Sequence, residues 1–299
     1  MTLTAVILLA ISAITHAAWN LVSKREQPTA AFFLVTNTAA TLCLLPAAIL
    51  FWRMLAEFTP QVWLLLLVTG FFQAVYYAAL GRAYCSGDMS VAYPLARSLP
   101  VVYVAAVTCL LGHGRELSVL SLSGMALVAL GVILLPARHF RDFSAKNYLT
   151  PMCLLAVVAA VGTAGYSMVD DAALRCLRSA TNGIIRPTLV FAFLEGISAS
   201  VWLAAYVLAR PGRMGAARGV IARQLKPAVL AGVGICIAYT LVLISMAFVR
   251  NISYVVAFRQ MSILIGVLLG ISVLGEKPWP PKIAGVSCAF AGLVLVKLG

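Results

Sequence analysis

The sequence is short of charge. Charged residues make up 10% of its 299 positions and only nine are acidic, against about 25% charged residues in an ordinary soluble domain. So few charges cannot cover a water-soluble protein of this length, which excludes a soluble enzyme. Chemistry-bearing patterns are also missing. There is no HExxH, G-x-S-x-G, P-loop or dinucleotide fingerprint, and His113 and His139 stand isolated in expected loops. The chain is therefore expected to be no enzyme and to hold no cofactor and no metal. Its seven cysteines show no CxxC or CxxH spacing and are expected as buried, reduced thiols acting as small hydrophobes. The short alternating strands of a β-barrel are absent. So is the basic opening of a secretory signal, which makes the first apolar stretch a retained span.

What the sequence has instead is apolar length. Hydrophobic residues are 63% and the mean hydropathy is +1.01. No charged residue occurs in 1–23, 27–52, 58–81, 117–137, 147–169 or 227–249, and each gap can cross a bilayer at roughly 20 residues per helix. Four further apolar segments carry charge: 90–112 with Arg97, 187–209 with Glu195, 252–274 with Arg259, and 279–298 with Lys282 and Lys297 near its ends. The two lysines are expected to snorkel to the interface. Backbone groups in lipid must be satisfied within the segment, so these are helices. The spacing predicts an all-α membrane protein of about ten transmembrane spans, with no room for a large domain outside the bilayer.

The two halves of the chain resemble each other. Aligning spans 3 and 4 with spans 8 and 9 puts Tyr77 on Tyr239 and Arg97 on Arg259; after a short gap, Glu116 falls on Glu276, Gly124 on Gly285 and Gly131 on Gly292. Span 1 aligns with span 6, placing His16 on Thr163, Trp19 on Tyr166 and Asn20 on Ser167. A charged residue in the middle of two equivalent spans is hard to obtain by accident. The units are 1–140 and 147–299, each with five spans, and an odd number forces the second to enter the membrane upside down. Inverted repeats of this kind are a hallmark of secondary transporters, whose substrate site lies near the midplane at the repeat interface.

The ordered set His16-Ala17-Ala18-Trp19-Asn20, the Pro94/Pro100 stretch, Leu274-Gly275-Glu276 with its weaker partner Gly114-Arg115-Glu116, and a glycine-bearing last helix in each half resembles the drug/metabolite transporter superfamily, in its ten-span EamA-type branch. The resemblance covers essentially the whole chain. It implies export or exchange of small metabolites, among them amino acids, nucleotide sugars and phosphorylated sugars, and leaves the substrate open.

Charge in a bilayer is costly, so Arg97, Arg259 and Glu195 are candidate functional residues. Two guanidinium groups flanking a central cavity would attract a carboxylate or phosphate, because arginine presents a planar donor fork. The alternative is that they pair with Glu195 or with backbone carbonyls; Glu195 itself reads as an arginine partner or a proton-coupling carboxylate. Span 1 carries a polar stripe at i, i+3, i+4 through Ser12, His16, Trp19, Asn20 and Ser23, a face that should point into the bundle. Span 6 repeats it with Thr163, Tyr166, Ser167 and Asp170; span 3 adds Gln73, Tyr76 and Tyr77, span 4 adds Tyr93, and spans 8 and 9 add Tyr239, Tyr254 and Gln260. The expected substrate-binding set is His16, Trp19, Asn20, Gln73, Tyr76, Tyr77, Tyr93, Arg97, Tyr166, Ser167, Tyr239 and Arg259, on the pattern of an aromatic cavity with a few placed polar groups. Pro94 and Pro100 bracket Arg97 and should kink its helix. Trp52, Trp63, Trp202 and Trp279 read as interface anchors.

Spans 5 and 10 carry small residues, such as Gly285 and Ala289, and are assigned to scaffold or to packing between subunits of a homodimer. The expected partners are a small-molecule substrate and the lipid bilayer. The net charge of +13 does not point to nucleic acid, since the basic residues cluster in loops, most densely at Arg210, Arg213, Arg218, Arg223 and Lys226. That run suits an anionic cytoplasmic leaflet, and it tips the positive-inside balance toward cytoplasmic loops after the odd-numbered spans, with both termini outside the cell (inner) membrane. The expected function is export of amino acids or small organic acids by alternating access, with phosphate- or phosphonate-bearing metabolites as the second substrate class and a non-transporting membrane enzyme or interaction protein as the reading outside transport.

Overall fold

The computed structural model describes residues 3–108, 110, 118–141, 144–180, 185–209, 213–245 and 261–298. Among these the chain is helical with no strand. The helices are α1 (Leu3–Arg25), α2 (Ala30–Leu50), α3 (Pro60–Ser86), α4 (Met89–Thr108), α5 (Val119–Leu134), the single turn α6 (Ala145–Tyr148), α7 (Pro151–Ala180), α8 (Ile185–Leu208), α9 (Arg213–Arg223), α10 (Leu225–Ser245), α11 (Met261–Leu274) and α12 (Pro280–Leu298). Each apolar segment of the sequence contains one of them. Six helices, α1, α2, α3, α7, α8 and α10, are long and apolar enough to cross a membrane, and α5, α11 and α12 are shorter apolar helices. Leu3, Leu50, Leu64 and Val201 are at least 60% exposed, an outward surface that only lipid would cover.

Helix boundaries follow local chemistry. Thr29, Thr59 and Ser118 accept a hydrogen bond from the backbone of Phe32, Val62 and Ser121, each satisfying an otherwise orphaned donor of a first turn. Pro60 opens α3 where no amide hydrogen is needed. α11 ends at Gly275, whose φ of +68° suits glycine, and the Glu276 amide turns back to Gly270 O at 3.2 Å. That turn aims the Glu276 carboxylate at the start of α4. Oε1 accepts from Met89 N at 2.7 Å and Oε2 from Ser90 N at 2.8 Å, where the helix dipole favours an anion.

Packing pairs exchange when the two halves are exchanged. α1 packs on α10 as α3 packs on α7; α2 packs on α10 as α8 packs on α3; α1 packs on α11 as α7 packs on α4. Helices that occupy equivalent places also pack on each other: α2 on α8, α4 on α11 and α5 on α12. These last pairs run antiparallel. Gly131 lies against Gly285 and Ala289, while Gly292 lies against Gly124 and Val128. Tyr93 lies against Gly266 and, a turn further along α4, Arg97 reaches back along α11 to Ser262.

Two expectations are corrected here. Lys282 does not snorkel: it is 1% exposed, and its Nζ bonds Asp88 Oδ2 at 3.1 Å, Ser90 Oγ at 2.8 Å and Lys277 O at 2.9 Å. An anion and two acceptors in reach inside the protein outweigh the distant headgroups. Among the described cysteines, which are free, only Cys153 is buried, while Cys43 and Cys85 are exposed; the outward face of a membrane helix is lipid-facing, so an apolar thiol needs no protein around it. The glycine faces of spans 5 and 10 pack on each other within one chain, which is the scaffold role among the two assignments given them above.

Candidate functional site

A cavity lies at mid-height in the bundle, between the halves. Its wall is built from α1 (Ser12, His16, Trp19), α2 (Asn37, Thr41), α3 (Gln73, Tyr76, Tyr77), α4 (Arg97), α7 (Tyr166), α8 (Glu195) and α10 (Cys236, Tyr239). It encloses about 90 Å³.

The helical period explains which residues arrive. On α3, Gln73, Tyr76 and Tyr77 share one face at i, i+3, i+4, and Tyr76 and Tyr77 are each 6% exposed. Their rings lie 5.1 Å apart, and Tyr166 closes on Tyr76 edge-on at 5.9 Å. On α1, Trp19 Nε1 donates to His16 Nδ1 at 2.8 Å, so that nitrogen is an acceptor and the ring carries its proton on Nε2. Ser12 Oγ donates to Ala238 O at 2.7 Å and fastens α1 to α10.

Among the described residues the cavity holds one ionisable group of each sign. Arg97 is 7% exposed, and its Nη2 lies 3.5 Å from Ser262 Oγ. Glu195 is 1% exposed. Its Oε1 accepts from Gln73 Nε2 and its Oε2 from Tyr239 Oη at 3.0 Å. Both of these donors are neutral. Asp170 neighbours Glu195 and takes the Thr69 hydroxyl at 2.5 Å. Thr69 and Gln73 are one turn apart on α3, so this helix holds both carboxyl groups from successive turns. Tyr76 is within electrostatic range of Arg97, and Tyr77 of Glu195.

Of the expected set, the cavity gathers His16, Trp19, Gln73, Tyr76, Tyr77, Arg97, Tyr166 and Tyr239, together with Glu195, the separate ion-pair or proton-coupling candidate. Three of the set do not line it. Asn20 is fully buried beneath it, giving Nδ2 to His16 O at 2.8 Å and accepting from Tyr84 Oη at 2.7 Å. Tyr93 is 1% exposed and packed between His16 and Gly266. Ser167 is exposed on the outer face of α7, because one residue beyond Tyr166 turns the helix by about 100°. Arg259, with Tyr254 and Gln260, lies outside the described residues.

The sequence reading passed over Asn37 and Thr41, whose i, i+4 spacing marks a polar face of α2. Asn37 Nδ2 donates to Gly196 O and to Ser200 Oγ, each at 2.9 Å. It also passed over Tyr84. Toward the α3–α4 turn the cavity is closed in layers: Phe33 stacks on Tyr77 at 5.3 Å and meets Trp19 edge-on at 6.4 Å, the Tyr84–Asn20 bond lies below, and Lys24 caps the end of α3 through Tyr84 O and Gly87 O.

No protein-family model matches the chain, and no curated protein is significantly similar to it.

Proposed function

We propose that the protein is a multi-pass transporter of the cell (inner) membrane that moves small metabolites by alternating access, and that amino acids or related small organic acids, carried outward, are its substrates. The observation that carries this reading is the mid-bundle cavity between the halves, aromatic in its walls and holding Arg97 and Glu195. Such a cavity suits a zwitterion: the guanidinium fork for a carboxylate, the glutamate for an ammonium group, and the tyrosines and Trp19 for an apolar side chain.

The antiparallel packing of α2 with α8, α4 with α11 and α5 with α12 supports ten spans in two inverted five-helix repeats, the architecture that the resemblance to the EamA-type branch implies. At about 90 Å³ the cavity is smaller than the roughly 300 Å³ at the low end of ligand pockets, so this is a contracted state that widens when one side opens. A homodimer would use the outward faces of α5 and α12, where Leu122, Leu130 and Ile283 are exposed. Phosphate- or phosphonate-bearing metabolites are the second reading, favoured by Arg97. A buried carboxylate in the same cavity weighs against a dianion.

The test is flux of labelled amino acids, sugar phosphates and phosphonates in proteoliposomes of the purified protein. Saturable amino-acid flux absent from empty vesicles is the expected result. Flux of the phosphorylated compounds alone would select the second reading, and no flux of any class would remove transport.

A further inference from the structure

We propose that the groove on the outer side of α3, between α3, α7 and α8, is a binding site for an anionic phospholipid, with one acyl chain along the groove and the headgroup phosphate on Arg82. The proposal requires that the protein sits in a bilayer with its odd-numbered loops on the cytoplasmic side, and it stands apart from the transport reading.

The groove has a structural cause. The three helices meet tightly at mid-membrane: a Cβ at Gly162 would lie 2.8 Å from Tyr76 N, and Gly70 and Gly165 press on Ser198 and on the Phe72 ring. Further toward the ends of α3 and α8 the lining includes Ala74, Ala78, Ala79, Ala205 and Ala209, whose side chains are too small to fill the space between the helices. The space left is about 510 Å³. Its inner end is stopped by Trp202 and Phe71, whose rings meet edge-on at 5.4 Å, with the indole nitrogen already donating to Leu67 O at 3.0 Å. The polar group of Trp202 is thus turned away and the blind end is apolar.

The outer end is charged. Arg82 is exposed and has no acidic partner among the described residues. From Phe71 to Arg82 is eleven residues of helix, or about 16 Å at 1.5 Å per residue. That is close to half of a hydrocarbon core about 30 Å thick, so the groove spans one leaflet, with its guanidinium at headgroup depth. This end lies on the side of the odd-numbered loops, where the basic residues concentrate and where the cytoplasmic leaflet supplies anionic lipid. An arginine presents a fork that matches phosphate.

The groove and the central cavity share a wall. Gln73, Tyr76 and Tyr77 face the cavity from α3, while Ala74, Val75 and Ala78 face the groove. A chain in the groove would brace the helix that carries the tyrosines and the Gln73–Glu195 bond.

The experiment uses the full-length protein in detergent, titrated with phosphatidylglycerol or phosphatidylcholine of identical acyl chains brominated near the chain end. Quenching of Trp202 is read as the difference between the protein and its Trp202→Phe variant. Phosphatidylglycerol is expected to quench at a concentration about fivefold lower than phosphatidylcholine, the factor one basic residue near anionic lipid supplies. Arg82→Gln should abolish that preference, whereas Arg218→Gln on α9 should keep it. Ala78→Phe, which plugs the groove, should lose Trp202 quenching by both lipids; should that variant not fold, Ala205→Phe plugs it from the other wall. Equal quenching by both lipids, or a preference that survives Arg82→Gln, overturns the proposal.

Discussion

Tyr239 on α10 donates its hydroxyl to Glu195 on α8 at 3.0 Å, and Gln73 on α3 donates to the other oxygen of the same carboxylate. One side chain thus ties a helix of the first half to two of the second, at the height of the cavity. A substrate ammonium group that reached Glu195 would compete with both donors, so binding and the packing of these helices are linked through one residue.

Glu195→Gln keeps the shape and removes the acid. If Glu195 receives the ammonium group, amino-acid flux falls at least about tenfold, a change of about 1.4 kcal/mol, while flux of a carboxylate lacking the amino group is spared. Equal loss for both compounds would assign Glu195 to structure alone. Proteoliposome flux of the paired substrates decides it.

Arg97→Ala removes the fork and Arg97→Lys keeps only the charge. Flux should fall strongly in the first and recover in part in the second, with thermal unfolding little changed in either. Unfolding at a much lower temperature together with unchanged flux would mark Arg97 as a packing ion.

Lys282 and Asp88 are unequally placed: the lysine side chain is 2% exposed and the aspartate 49%. Asp88→Asn strands an ammonium group inside the protein and should cost about 3 kcal/mol. Lys282→Met leaves an aspartate that water can reach, at about 1 kcal/mol. The order of the two unfolding midpoints checks this, and the reverse order would mean that the pair is solvated.

Cys236 lines the cavity. A small water-soluble thiol reagent should modify it, and a transported amino acid should protect it. An added cysteine at Asn20, which is fully buried, should stay unmodified, as should Ile7→Cys on the exposed outer face of α1. Labelled peptides resolved by mass spectrometry separate these sites from one another.

Gly292→Ala would set a Cβ 2.5 Å from Gly124 O and 2.6 Å from Val128 N, both backbone atoms, whereas Gly219 has nothing within 4 Å. The first should destabilise by about 1–3 kcal/mol. The second should be neutral or stabilising, since alanine favours an exposed helix.

Long runs free of charge located the helices, because lipid demands an apolar surface along the whole segment. The i, i+3, i+4 pattern on α3 likewise identified Gln73, Tyr76 and Tyr77, which one helix face delivers together. Where polar residues of one stripe part company, periodicity gives no warning. Asn20 shares a face with His16 yet is spent on Tyr84, sixty-four residues away in sequence. Lys282 near a span end reads like any snorkelling lysine until the fold brings Asp88 and Ser90 to it. Glu195 was legible as an intramembrane acid, but its neutral donors were not, because which helices touch α8 is a property of the tertiary arrangement. Asn37 and Thr41 were legible in principle from their spacing on α2, and were hidden by an otherwise apolar segment.

In the transport reading proposed above, the crossing of α5 and α12 would set how the rest of the molecule moves. At Gly124, Gly131, Gly285 and Gly292 main chain meets main chain, and no side chain stands between to absorb a displacement. The crossing is therefore tight against translation, and in that reading it would serve as the fulcrum. α2 and α8 pack on each other and closely against neither α5 nor α12, so in that reading they would form the long arm of the lever. A few degrees at the glycines would become the largest excursion at Asn37, Thr41 and Gly196, and in that reading the cavity wall they share is where a gap between the halves opens first.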